Sequence, residues 1–337
     1  MRQEEARMEE QYIWAWICGL LVLIFVALAV RESMQSKKRQ TVKLRQRWGG
    51  VPQQEYTSEE LKSISHYAEI HQNGRFMIDD ITWNDLDMER VFMLLNNTCS
   101  SCGEEYLYAL LRLPEFQTKN LDERERLIEF FRHHQAERET VQHGLLRVGK
   151  INGLSISDYI GALSEIPARS RARYFACFLL AVASIVCLIV KPAVGVALLV
   201  AAVVINISIH TMEGNKIEAY LKCLMCLIRV LHASEKLGKE KIPELEDYLM
   251  RLRENEKKLH SIRKKCITLV NAKGTEGDIM SVIYTYINAF FVLDFIQFYS
   301  ILKDLQNRQK ELETLTETLG ILDTMIAIAS YREYLPY

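Results

Sequence analysis

Residues 174–210 read YFACFLLAVASIVCLIVKPAVGVALLVAAVVINISIH, and this apolar block decides what kind of fold the chain can adopt. Its only Lys, Arg, Asp or Glu is Lys191, which is followed by Pro192. The block is too long for one untilted crossing of a bilayer about 30 Å thick, and proline cannot continue an undisturbed helix. We therefore predict a hairpin of two membrane helices, 174–190 and 193–209, that turns at Lys191-Pro192. A single long kinked helix is the alternative.

A second apolar run, YIWAWICGLLVLIFVALAV, covers residues 12–30 and contains no charged side chain. At about 1.5 Å per residue it is long enough to cross the hydrocarbon, and its tyrosine and tryptophans suit one interface. A cleaved signal peptide is the alternative. It fits poorly because the acidic stretch EEARMEEQ precedes the run and no small-residue cleavage site follows it. We predict three membrane spans in total, with residues 1–11 as an extracytoplasmic tail.

Basic residues are concentrated directly after the first predicted span. The positive-inside rule then places residues 1–11 outside and the bulk of the chain in the cytoplasm, as a multi-pass protein of the cell membrane whose first partner is the lipid bilayer. Such a cluster also suits anionic lipid headgroups, and a grip on DNA phosphates is the alternative. The cluster consists of Arg31, Lys37, Lys38, Arg39, Lys43, Arg45 and Arg47.

The remaining sequence predicts an all-α protein, because only 6 Pro and 15 Gly interrupt 337 residues. Thr57 and Glu60 have capping-box spacing at the start of a helix over 56–70. Further helices are predicted over 83–96 and, as one long charged helix, over 121–150. Its neighbours His133 and His134 would point about 100° apart, so we interpret them as surface residues and not as metal ligands.

Two segments downstream carry heptad-like apolar stripes, 242–270 and 310–329. Stripes of this kind predict long helices that lie against one another. Between them, 283–302 has the length of a span but contains Asp294 and Gln297. Charge in the middle of a bilayer is costly, so a buried helix of a soluble core is favoured there.

Cys99 and Cys102 in NNTCSSCGEEYLYALLRLP (96–114) have the spacing of zinc ligands or of a redox pair. No strand pattern flanks them, and the other such pair, Cys223 and Cys226, lies far downstream on an apolar helix. Ser101 and Glu104 have capping-box spacing, so a helix start accounts for the stretch. We predict no metal, catalytic or cofactor-binding residue here, and expect both cysteines to be dispensable for stability.

The order of these motifs resembles the core, or lever, domain of the MutS family of DNA mismatch-repair ATPases. That domain has a leucine-rich helix, Leu-Asn-x-Thr, a small polar turn with Gly, a helix ending before Pro, Asp-x-x-x-Arg, and an Asp on its last long helix. The resemblance implies an elongated helical lever in two parts, 80–173 and 211–337, separated by the hairpin 174–210 and preceded by a basic linker, 31–79. The matching positions are Leu95, Asn96, Thr98, Ser101, Gly103, Pro114, Asp122, Arg126 and Asp323.

Departures from the family pattern matter for function. The chain has no Phe-x-Glu wedge, the motif with which the family inserts into mismatched DNA, and no Gly-x-x-x-x-Gly-Lys-Ser/Thr phosphate loop. The hairpin or the charged segment 241–265 occupies the region of the family's DNA clamp. ATP and magnesium are therefore expected only through an ATPase domain that would follow residue 337.

The sequence thus supports two functional hypotheses. In the first, the chain is the membrane-anchored lever of a MutS-related protein, coupled to an ATPase domain or partner, with DNA binding implied by the resemblance alone and a homodimer as a further option. In the second, it is a non-catalytic helical membrane scaffold that pairs through its heptad helices and has no DNA role. The net charge of −1 gives no general argument for nucleic acid.

Overall fold

The computed structural model describes residues 31–32, 34–151, 155–165, 171–272 and 290–335. All regular secondary structure in these ranges is helical, which confirms the predicted all-α class. We number the helices in chain order: α1 (34–47), α2 (Ser58–Ile70), α3 (Asp80–Asp85), α4 (Met88–Leu95), α5 (Ser101–Arg112), α6 (Thr118–His133), α7 (Gln135–Val148), α8 (Ile156–Glu165), α9 (Arg171–Val190), α10 (Pro192–Leu237), α11 (Glu246–Ala272), α12 (Leu293–Gln306) and α13 (Gln309–Tyr334).

The start of α2 confirms the predicted capping box. The Thr57 hydroxyl accepts a hydrogen bond from the Glu60 backbone N–H, and the Glu60 carboxylate accepts one from the Thr57 N–H. Two of the orphan donors at this helix end are thereby satisfied by local side chains. Such a start depends only on residues close in sequence, which is why the pattern predicts it.

Two predicted helices are each broken in the structure. The helix predicted over 83–96 is split into α3 and α4, because Asp87 adopts the left-handed conformation at φ 49°. Leu86, which lies at the break between the two helices, is exposed. The helix predicted over 121–150 is split at His134, which has non-helical backbone angles. Both His133 and His134 are exposed, as predicted.

The hairpin turn occurs at Lys191, as predicted, but the second helix does not end at residue 209. Helix α10 continues without a break to Leu237, so the second helix of the hairpin and the segment after it form one helix of 46 residues. A Cβ atom at Gly195 would lie 2.3 Å from the Leu188 backbone. The backbones of α9 and α10 therefore touch at the turn, and only glycine fits there.

The described residues contain two helices long and apolar enough to cross a membrane, Ala172–Val190 and Pro192–Ile209, each with a mean hydropathy of 2.4. Only 22% of each window is buried, unlike the core helix of a soluble protein. Exposed valine, leucine, isoleucine and phenylalanine side chains cover both helices, among them Phe175, Ile189 and Val200. Contiguous apolar surface of this kind is typical of contact with lipid. The predicted span 12–30 lies outside the described residues.

The buried apolar residues form two clusters, which we call the main core and the second core. The second core lies among α2, α3, α4 and one face of α5, and includes Leu61, Trp83, Phe92 and Leu107. The main core contains the other face of α5 together with α6, α7 and α10 to α13. Helix α13 is its centre, since from Thr318 to Ser330 nearly every side chain is buried.

The two heptad-like stripes are confirmed as buried surfaces of α11 and α13, which pack against each other. The segment predicted as a buried helix, 283–302, is described from residue 290 onward and includes the start of α12, which continues to Gln306. The Tyr174 ring at the base of the hairpin stacks against Phe295 and Tyr299 of α12. The buried stripe residues are Ile242, Leu245, Leu249, Leu252, Leu259 and Cys266 in the first segment, and Leu312, Leu315, Leu319, Leu322, Ile326 and Ala329 in the second.

Candidate functional site at the Asp323 junction

The 96–100 loop is fastened to α13 by one buried carboxylate. Asp323 has no exposed surface. It accepts hydrogen bonds from the Cys99 N–H at 2.9 Å, from the Ser100 N–H at 2.8 Å and from the Ser100 hydroxyl at 2.6 Å. These donors precede the first turn of α5, so the carboxylate also faces the positive end of that helix. We call this arrangement the Asp323 junction.

Small residues let α5 approach α13 closely at the junction. A Cβ atom at Gly103 would lie 2.4 Å from Asp323 Oδ2, and one at Gly320 would lie 2.8 Å from the Cys102 carbonyl oxygen. The Thr324 hydroxyl donates to the Gly103 carbonyl at 3.1 Å. The glycine of the motif is thus required by the packing of two helices and not by a phosphate.

The cap of α5 differs from the predicted one. Ser100, and not Ser101, is the N-cap residue, and its hydroxyl accepts from the Gly103 N–H. The Ser101 hydroxyl instead accepts from the Ile151 N–H at 2.8 Å, which ties the chain after α7 to the start of α5. Glu104 does not close a capping box. The prediction was one residue out of register because both serines suit an N-cap.

Glu104 belongs to a second polar cluster beside the junction. Its carboxylate pairs with Lys150 Nζ at 2.7 Å and accepts from the Asn96 amide at 3.0 Å and from the Tyr56 hydroxyl. The Thr98 hydroxyl in turn donates to the Asn96 side-chain oxygen at 2.6 Å. Burial and the neighbouring Glu104 raise the pKa of Tyr56, which keeps its hydroxyl protonated as a donor.

The nine residues that carried the family resemblance fall into two groups. Asn96, Thr98, Ser101, Gly103 and Asp323 gather at the junction, as the hydrogen bonds above describe. The other four do not. Leu95 packs on the second core, Pro114 follows the end of α5, and Asp122 and Arg126 lie on the exposed face of α6, where Arg126 pairs with Glu123 at 2.7 Å and not with Asp122.

The junction borders an open cleft of about 560 Å³. Its lining includes the 50–54 segment together with Arg47, Asn97, Thr98, Cys99 and Lys150. The Arg47 guanidinium donates to the Asn97 side chain at 3.1 Å, and Lys150 is held by Glu104. The polar groups of the cleft are therefore largely used to hold the 96–100 loop in place.

Cys99 and Cys102 are separate buried thiols in the main core. Burial raises the pKa of both, so neither is a thiolate at neutral pH. Within the described part of the chain, no group of three or more His, Cys, Asp or Glu side chains is placed to hold a metal ion. Because Cys99 and Cys102 are buried, we no longer expect both to be dispensable for stability.

Replacing both cysteines with serine is expected to lower the free energy of unfolding by roughly 1–3 kcal/mol, because each new hydroxyl is buried beside apolar side chains. Replacement with alanine should cost less per site, since alanine brings no polar atom. Urea unfolding of both double variants measures the difference. A serine variant more stable than the alanine variant would show that the hydroxyls find partners.

A second buried carboxylate, that of Glu105 on α5, accepts hydrogen bonds from the start of α8 in the same way. Glu105 accepts from the Ile156 N–H at 2.6 Å and from the Ser157 hydroxyl at 2.6 Å, which caps that helix from outside. Burial raises the pKa of Glu105 to about 7 and that of Asp323 to about 6. The sequence signal for Glu105 was a second acidic residue next to Glu104 in a helix rich in apolar side chains, and it was missed.

Asp323 and Glu105 are expected to make stability decrease as the pH rises from about 5 to about 7.5, whereas His143 and His232, whose pKa values burial lowers, act in the opposite direction below about pH 6.5. Asp323 and Glu105 have folded-state pKa values above their unfolded ones, so the folded state holds more protons in this window. Each group contributes a slope of up to about 1.4 kcal/mol per pH unit. Urea unfolding at both pH values should show this slope, and Asp323→Asn should reduce it. A slope identical in the variant would mean that Asp323 titrates normally.

No protein-family model, no curated protein and no solved structure matches this chain.

Proposed function

We propose that this chain is the membrane-anchored lever module of a MutS-related protein. The hairpin of α9 and α10 holds it in the bilayer, and its long helices carry motion between the membrane and the end of α13. The observation that carries the proposal is that α10 runs unbroken from the hairpin into the helical body, about 69 Å at 1.5 Å per residue. A continuous helix transmits a displacement that a loop would absorb.

Two packing contacts support rigid coupling at the body end of α10. A Cβ atom at Gly144 of α7 would lie 2.5 Å from the Leu237 side chain, so the two helices touch there. The Arg263 guanidinium of α11 pairs with Glu235 of α10 and with Glu256. Because α11 also packs on α13, a displacement of α10 is passed to the helix that holds the Asp323 junction.

The topology of the hairpin can be tested by labelling. A cysteine introduced at position 192 is expected to react with an impermeant maleimide added outside intact cells, because the turn emerges on the far side of the membrane. A cysteine at position 120 should react only after permeabilisation. The opposite pattern would place the helical body outside the cytoplasm.

The lever proposal requires an ATPase that contacts the end of α13. A photo-crosslinking residue at exposed Tyr334 is expected to capture a protein that hydrolyses ATP, whereas the same residue at exposed Phe116 is not. DNA binding, which only the resemblance implies, is tested in parallel with mismatched and matched duplexes and the full chain in nanodiscs. Capture of only a second copy of this chain, with no preference for mismatched DNA, would refute the lever proposal.

That result would favour the second candidate function, a helical membrane scaffold without a DNA role. One observation favours it: Asn96, Thr98, Ser101 and Asp323 bond to one another and to neighbouring backbone groups. The motif residues thus account for how the loop and α13 are joined. They do not by themselves identify a ligand.

A further inference from the structure

A basic cavity lies between α1, α7 and the last turn of α10. It has a volume of about 310 Å³. Its polar lining comes from three helices distant in sequence and consists of Ser36, Lys37, Gln40, His143, Arg147 and Lys236. The basic residues after position 30 were predicted to contact lipid, but only Lys37 of them lines this cavity.

The positive charge of the cavity is not balanced by carboxylates at its wall. The acidic residues nearest to it are engaged elsewhere. Glu139 pairs with Arg45 at 2.7 Å, and Glu235 pairs with Lys239 at 2.7 Å and with Arg263. Glu240 is the remaining carboxylate that acts on Lys236. Three basic side chains, Lys37, Arg147 and Lys236, therefore face one small volume.

The histidines beside the cavity are held neutral. The Arg147 guanidinium donates to His232 Nε2 at 2.9 Å, and because arginine has no acceptor, that nitrogen must carry a lone pair. The Thr41 hydroxyl gives its proton to the Lys37 carbonyl at 3.0 Å, so His143 Nε2 donates to Thr41. Burial, with the charges of Lys37 and Lys236, lowers the pKa of His143, and burial with Arg147 lowers that of Lys236.

We propose that this cavity binds a phosphate-bearing anion, held by Lys37, Arg147 and Lys236. A guanidinium can give two parallel N–H bonds to a phosphate, and the two ammonium groups supply charge without fixed geometry. The Ser36 hydroxyl and the Gln40 amide add neutral donors at the same wall. The volume suits a phosphate or pyrophosphate group, and binding relieves the mutual repulsion of the three cations. The proposal does not depend on the lever.

The phosphate can belong to a soluble molecule or to a lipid headgroup. With a straight α10, the cavity stands about 40 Å from the face of the bilayer that the hairpin crosses. A headgroup of that bilayer reaches it only if α10 bends towards the membrane. Occupancy of the cavity by a phosphoinositide in the same nanodisc therefore distinguishes the lipid source from the soluble one.

The test is calorimetric titration of inorganic pyrophosphate into the full chain in phosphatidylcholine nanodiscs. Arg147→Gln with Lys236→Gln is expected to weaken binding by about tenfold or more, since two of the three cations are lost. The matched control is Lys257→Gln with Lys258→Gln, two exposed residues of α11 that remove the same charge. The control should stay within about twofold of the parent. If the first pair does not fold, Lys37→Gln on the exposed face of α1 replaces it.

Nanodiscs that contain phosphatidylinositol phosphate form the second arm. A drop of about tenfold in pyrophosphate affinity there identifies a lipid headgroup as the occupant, and unchanged affinity identifies a soluble phosphate. Either result supports the proposed site. No pyrophosphate binding in either nanodisc, or equal weakening by both double variants, would overturn it, because the cations would then act only through general charge.

Discussion

Replacing Leu319 with aspartate is expected to lower the free energy of unfolding by roughly 3 kcal/mol or more. Leu319 is fully buried in the main core, at the point where α13 is enclosed on nearly all sides. A carboxylate there loses its hydration and gains no cation, so part of the cost appears as a raised pKa and the rest as lost packing.

The matched control is Leu121→Asp on α6, the same chemical change at an exposed leucine. It is expected to stay within about 0.5 kcal/mol of the parent, as surface substitutions usually do. Urea unfolding followed by circular dichroism measures both variants. If Leu319→Asp unfolds at the same urea concentration as the parent, α13 is not the central helix of the body.

Replacing Asp323 with alanine is expected to cost roughly 3–5 kcal/mol, the second-largest effect. The Cys99 N–H, the Ser100 N–H and the Ser100 hydroxyl would lose their acceptor while still buried, and each unsatisfied donor costs about 1–3 kcal/mol. Two of the donors are backbone groups, so no second substitution can remove them. The 96–100 loop is then expected to separate from α13 before the rest of the body unfolds.

Hydrogen exchange distinguishes this local opening from general destabilisation. The amides of Cys99 and Ser100 should exchange much faster in Asp323→Ala than in the parent, while the buried amides of α11 keep most of their protection. Asp323→Asn, which retains one acceptor oxygen, should lie between the two. An alanine variant as stable as the parent would mean that burying the carboxylate costs as much as its hydrogen bonds return.

Local features of this fold could be predicted from the sequence, and features that depend on distant residues could not. The capping box of Thr57 and Glu60 and the turn at Lys191-Pro192 are set by neighbours in the chain. The break at Asp87 was missed because one residue in the left-handed conformation leaves the apolar period almost unchanged. The end of α10 was placed too early because polarity rises after residue 210 while the helix continues.

The candidate sites show the same limit. Asp323 meets Ser100 across more than two hundred residues of sequence, and only the order of family-like motifs drew attention to it. Glu104 was predicted only as part of a capping box, and Glu105, Tyr56 and Lys150, which complete that region, were not singled out. The basic cavity could not be predicted from the sequence for a simpler reason. Lys37, Arg147 and Lys236 are ordinary helix-surface charges until the packing of three helices brings them together.

The central claim is that the membrane hairpin and the helical body move as one piece through α10. Spin labels at the exposed positions Val200 and Arg229, in a chain with Cys18, Cys177, Cys187 and Cys223 replaced by alanine, measure this in nanodiscs by electron double resonance. We expect one narrow distance distribution near 43 Å, about the length of a straight helix between these residues. A broad or clearly shorter distribution would contradict the lever. If Gly214→Ala restored the narrow distribution, the hinge within α10 would lie at Gly214.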